Sequence, residues 1–115
     1  MSSIGKHLLV EGSQVDPQSI SHTHSMKDLL QRIAKACSLT ILSTTHHQFQ
    51  PHGATVVLLL SESHLSIHTW PEKGFFALDL FSCNATTSFD EVLRILKESF
   101  PEARLESQLL ERKVP

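Results

Sequence analysis

The chain has 115 residues, 40% hydrophobic and 19% charged, with a formal net charge of −2. That length suits one domain with a single modest core, and the composition is ordinary for a soluble globular protein. No Lys/Arg cluster exceeds two neighbours, so the basic footprint of a nucleic-acid binder is missing. The longest apolar run, Val56 to Leu60, is far too short to span a bilayer. Met1 to Lys6 lacks the pattern of a signal peptide, and Cys37 and Cys83 form neither a disulfide framework nor a metal-type pair. The expectation is a cytoplasmic enzyme or binding domain with two free thiols and no membrane or nucleic-acid partner.

Residues 6 to 11, Lys-His-Leu-Leu-Val-Glu, read as a first strand ended by Gly12-Ser13, and the polar segment Ser13 to His24 as a loop. Helical spacing begins at Met26, with Leu29, Leu30, Ile33 and Cys37 on one face and Ser25 as the expected N-cap. Leu39 to Phe49 is β-branched and strand-like, Gln50-Pro51-His52-Gly53 is a turn, and Ala54 to Ser61 is a continuous apolar strand. From Ser63 to Thr69 the parity alternates, Leu65 and Ile67 against His64, Ser66 and His68. Pro71 to Gly74 turns the chain into another strand, Phe75 to Cys83. Ser88-Phe89-Asp90-Glu91 has the pattern of a capping box opening a second helix, whose buried stripe is Phe89, Val92, Leu93 and Leu96. Phe100-Pro101 stops that helix, and Arg104 to Leu110 is a last strand. The order β-α-β-β-β-α-β predicts an α+β two-layer sandwich, a mainly antiparallel sheet with two helices on one face, forming one domain over residues 1–115.

The densest chemistry lies between Leu60 and Glu72: four hydroxyls, two histidines and two carboxylates in thirteen residues. His64 and His68 have the i, i+4 spacing of zinc ligands on a helix. On a strand, however, four residues span roughly 13 Å, too far for one ion to bridge. There is no His-Glu-x-x-His, and neither cysteine has a partner at metal spacing, so no metal is expected. A serine hydrolase is weakened by the missing Gly-x-Ser-x-Gly elbow around Ser63. Ser61, Ser63 and Ser66 as plain sheet and turn hydroxyls remain the unadorned alternative.

The combination is more specific than its parts. Glu62-Ser63, then His64 and His68, then Thr69-Trp70-Pro71-Glu72, then Phe81-Ser82-Cys83 closely resemble the prokaryotic S-adenosylmethionine decarboxylase proenzymes, which are pyruvoyl-dependent. Gly5-Lys6-His7, His47 to Gly53 and Asp79 to Cys83 extend the resemblance over most of the first 83 residues. It implies that Ser63 attacks the Glu62 carbonyl and converts the amide to an ester. β-Elimination and hydrolysis then leave a β chain of residues 1–62 and an α chain of residues 63–115 headed by a pyruvoyl cofactor. His68 is implied as the proton acceptor in processing, with Thr55 in support. In turnover, the resemblance implies that the pyruvoyl ketone of former Ser63 forms a Schiff base with the substrate amine, and that Cys83 returns a proton after CO2 leaves. Phe49 is implied as a platform for adenine, Glu72 as the partner of the ribose hydroxyls, and Leu65 as a source of backbone contacts.

The implied activity is S-adenosylmethionine decarboxylation, supplying the aminopropyl donor for spermidine and other polyamines, by a dimer of processed αβ protomers. The alternatives are a pyruvoyl-dependent arginine or ornithine decarboxylase, or a non-processing relative with a binding or regulatory role. The chain departs from the family pattern in places: Ala54-Thr55-Val56 stands where Val-Ser-Gly is usual, Asn84 replaces the Gly after Cys83, and the loop Gly12 to His24 is atypical.

Overall fold

The computed structural model describes residues 2–115. Six strands form one antiparallel sheet: β1 (Ser2–Ser13), β2 (Ile41–Gln48), β3 (Ala54–Leu60), β4 (Ser63–Trp70), β5 (Phe75–Ser82) and β6 (Arg104–Val114). Their order across the sheet is β2-β3-β4-β5-β1-β6. Helices α1 (Thr23–Ala36) and α2 (Phe89–Ser99) pack with one face of it. This is the expected two-layer α+β architecture, with one correction. Four strands, not three, separate the helices. Ser63–Trp70 is a full strand because it finds a partner on each side, Leu65 pairing with Leu58 on β3 and with Leu80 on β5.

Alternation decides the two faces. Leu8, Val10, Val56, Leu58, Leu65, Ile67, Leu78 and Leu80 are all at most 2% exposed and meet Leu30, Ile33 and Leu96 of the helices. Residues of opposite parity (His7, Thr55, His64, His68 and Asp79) lie on the second face, which no helix covers among the described residues.

Both helix starts differ from expectation. α1 begins two residues before Ser25, and its first amide, Thr23 N–H, donates to Gln48 Oε1 at 2.9 Å. A side chain from the end of β2 thus does the work of a cap. Ser88 stands at the N-cap of α2 without a side-chain cap bond, and the Glu91 carboxylate accepts from Arg94 Nε at 2.5 Å rather than completing a capping box.

Candidate active site

The candidate residues fall into two groups near opposite ends of β4. The first is built on the β3–β4 turn. Ser61 N–H donates to Thr40 C=O at 2.9 Å, and Thr40 N–H donates to Glu62 Oε1 at 3.0 Å. The Glu62 carbonyl accepts the Cys83 N–H at 2.9 Å. Ser63 follows with φ +153°, a region of backbone space that a residue with a Cβ rarely enters. The peptide between Glu62 and Ser63 is therefore held from both sides and leads into a strained serine, its carbonyl polarised by a backbone donor.

Cys83 is exposed, just beyond the end of β5. Ser82 Oγ fixes that end by bonding Thr87 Oγ1 at 2.7 Å and accepting Asn84 N–H at 3.1 Å. Gly5 on β1 permits the close approach, since a Cβ there would lie 2.6 Å from Ser82 O and 3.0 Å from Cys83 Cα. A cavity of about 280 Å³ opens beside Cys83, lined in part by Ile4, Lys6, Asn84 and Phe89. The other thiol, Cys37, is buried and donates to Ser88 C=O; burial, then the charge of Glu91, pushes it above the ordinary range. Of the two thiols, only that of Cys83 is open to solvent.

The second group surrounds a cavity of about 320 Å³ lined by Phe49, His52, Gly53, Thr55, His68, Thr69, Trp70 and Glu72. Thr55 faces His68 across β3 and β4, with Thr55 Oγ1 2.9 Å from His68 Nδ1. In the tautomer whose Nδ1–H donates to Thr55, Nε2 is left free to take a proton. Gly53 at φ +114° lets the Pro-x-Gly turn fold back, and its carbonyl takes the Phe49 N–H at 2.8 Å. Phe49 and Trp70 expose their rings at the cavity, where Glu72 lies 3.8 Å from His52.

His68 is five residues from Ser63 on one strand, roughly 16 Å at the rise of a β-strand. At that separation it does not meet the Ser63 hydroxyl of its own chain. The Leu65 side chain is fully buried, and its strand is paired on both sides.

Between the groups lies a cluster that the sequence did not suggest. His7 Nε2 and His64 Nε2 lie 2.7 and 3.3 Å from Asp79 Oδ2, while Ser66 Oγ donates to Asp79 Oδ1. Burial works to raise the Asp79 carboxyl, but the hydrogen bonds from Ser66, His7 and His64 outweigh it and hold Asp79 below the ordinary carboxylate range. The only sequence signal was the shared parity of His64 and Ser66; His7 and Asp79 are 72 residues apart.

With the geometry in place, comparisons with known proteins are specific. The family model described as S-adenosylmethionine decarboxylase matches residues 6–113. An S-adenosylmethionine decarboxylase proenzyme of Sulfurihydrogenibium sp. is 38% identical over 112 residues, covering 97% of this chain and 84% of that protein. One from Brevibacillus brevis is 42% identical over 100 residues, covering 84% and 75%. The crystal structure of the adenosylmethionine decarboxylase from Aquifex aeolicus superposes with a TM-score of 0.90 at 34% identity, covering 100% of this chain and 95% of that one. The chain belongs to the S-adenosylmethionine decarboxylase family.

Proposed function

We propose that this chain is a proenzyme that cleaves itself between Glu62 and Ser63 and then decarboxylates S-adenosylmethionine through a pyruvoyl group made from Ser63. The observation that carries the reading is the held peptide: a serine at φ +153° whose preceding carbonyl accepts Cys83 N–H at 2.9 Å. Attack of Ser63 Oγ on that carbonyl places negative charge on the Glu62 oxygen, where the Cys83 amide already points. The C–N bond then breaks, leaving an ester and a free Ser63 amine. Loss of the Ser63 α-proton expels the Glu62 carboxylate, and water replaces the nitrogen, which departs as ammonia. When formed, the ketone supplies an electron sink for decarboxylation. The exposed Cys83 thiol, beside the α-chain start, is the group positioned to return a proton to the product.

These steps need a base. Thr55–His68 supplies it if two copies meet through their uncovered sheet faces, head to tail. Along β4 the order Ser63, then His64 and Ser66, then His68 makes this workable. A two-fold axis through the middle would set His68 of each copy over Ser63 of the other, an isologous contact of the kind closed dimers use. Phe49 would then stack on adenine and Glu72 accept the ribose hydroxyls in the same composite site, with the reactive end of the substrate toward Ser63 and Cys83. The product would feed polyamine synthesis in the cytoplasm.

Intact mass is the first test. Chains 1–62 and 63–115, the second without a free amino terminus, are expected; a single uncleaved species under all conditions would refute self-processing. Release of labelled CO2 from carboxyl-labelled S-adenosylmethionine, arginine and ornithine tests the substrate. The cavity flanked by Phe49 and Glu72 predicts turnover of the nucleoside, and turnover of either amino acid alone would overturn that choice.

A further inference from the structure

The decarboxylase reading leaves the central cluster unused. His7, His64 and Asp79 come from three neighbouring strands, β1, β4 and β5, and their ligand atoms all lie within 4.8 Å of one another. Both imidazoles turn Nε2 toward the same carboxylate oxygen, Asp79 Oδ2. Ser66 occupies the other oxygen, orienting the carboxylate as an outer-shell partner does for a metal ligand. The side chains are 17%, 39% and 26% exposed in the order His7, His64, Asp79, so the cluster is sheltered yet reachable from the uncovered face.

The spacing suits a small ion. Tetrahedral zinc with bonds of about 2.0–2.1 Å sets its ligand atoms roughly 3.3 Å apart. The His64–Asp79 separation of 3.3 Å already matches, and the 2.7 Å His7–Asp79 contact would open by roughly half an ångström. Two imidazoles with one carboxylate favour borderline transition metals over magnesium or calcium, which prefer oxygen. We infer that His7, His64 and Asp79 form a binding site for one divalent cation of the zinc, cobalt and nickel class, with its remaining position turned toward the face that the partner copy covers in the proposed dimer.

The site has a structural consequence that rests on the cleavage reading. His7 belongs to residues 1–62, whereas His64 and Asp79 belong to residues 63–115. A bound cation would link the two products of cleavage and pin the α chain one residue after the group made from Ser63. It takes no part in the chemistry. One neighbour opposes it: Arg112 Nη1 lies 3.5 Å from His7 Nδ1, and its guanidinium sits 5.6 Å from the Phe81 ring centroid. A His7 bound through Nε2 keeps its proton on Nδ1, so Arg112 must swing aside.

The test is titration of zinc and of cobalt into the chelator-treated full chain, read by calorimetry, cobalt absorption and thermal melting. One ion per chain is expected, with visible cobalt bands and a rise in Tm of roughly 10 °C when free zinc is a hundredfold above Kd. His64→Ala should weaken binding by more than about a hundredfold, beyond the roughly 10–100-fold that loss of an outer-shell partner brings. Arg112→Gln should tighten it, and His46→Ala, outside the cluster, should leave it unchanged. The Tm of each variant without metal reports whether it folds. Equal affinity in wild type and His64→Ala, or no binding at micromolar zinc, would overturn the site. Repeating the titration on uncleaved Ser63→Ala separates this outcome from failure of the processing reading, since the metal site needs no cleavage to form.

Discussion

The two ends of β4 carry different groups. At one end, hydrogen bonds to Thr40 and Cys83 fasten the Glu62–Ser63 peptide and a Ser63 at φ +153°, beside an open thiol. At the other, a Thr55–His68 pair and the Phe49 and Trp70 rings surround a cavity suited to a flat, polar ligand. In the proposed reaction the first supplies the bond to be cleaved, and the second supplies the base and the binding pocket. Roughly 16 Å of β4 separates them. On that reading one protomer carries two half-sites, and the sheet keeps them apart.

The sharpest break in this comparison is at the reactive end. Ser63→Ala should abolish cleavage, leaving one chain by mass, and with it all decarboxylation. Cys83→Ala keeps the backbone N–H that meets Glu62, so cleavage should persist while turnover falls by about 10²–10⁴, the usual worth of a positioned proton donor. Mass spectrometry and the CO2 assay separate those two effects. At the binding end, Glu72→Ala should leave cleavage intact and raise KM by about tenfold, close to 1.5 kcal/mol for a hydrogen bond to a charged group.

A smaller effect tests the cluster between the ends. The folded-state pKa of Asp79 is depressed, so its contribution to stability is fully present above the ordinary carboxylate value of about 3.9 and fades as pH falls through the lower folded value. Asp79→Asn should lower Tm at pH 7 and lose less further stability than wild type between about pH 4 and pH 2. An unchanged acid melting curve would mean that the bonds from Ser66, His7 and His64 stabilise nothing.

Much of the fold was legible because local pattern and tertiary packing agree. The three- and four-residue spacing from Met26 to Cys37 became α1, and the alternation of Leu65 and Ile67 against His64 and His68 became the two faces of β4. The start of α1 was not legible, since its first amide is satisfied by Gln48, a residue 25 positions away. The catalytic candidates came from the resemblance around Ser63, whereas Thr40, Gly5 and the His7–Asp79 pair are contacts that only folding creates. The strand rise that separates His64 from His68 also separates His68 from Ser63, so the spacing along β4 was legible in the sequence.

Complementation between two inactive variants tests the central claim most directly. Ser63→Ala lacks the serine and His68→Ala lacks the base. If each site draws its serine from one copy and its histidine from the other, a mixed dimer contains one complete site. The two variants, each inactive alone, should upon co-expression yield cleaved chain 63–115 from the His68→Ala partner and a fraction of wild-type CO2 release. Failure of the co-expressed pair to cleave, with mixed dimers demonstrated by mass, would contradict a site shared between copies.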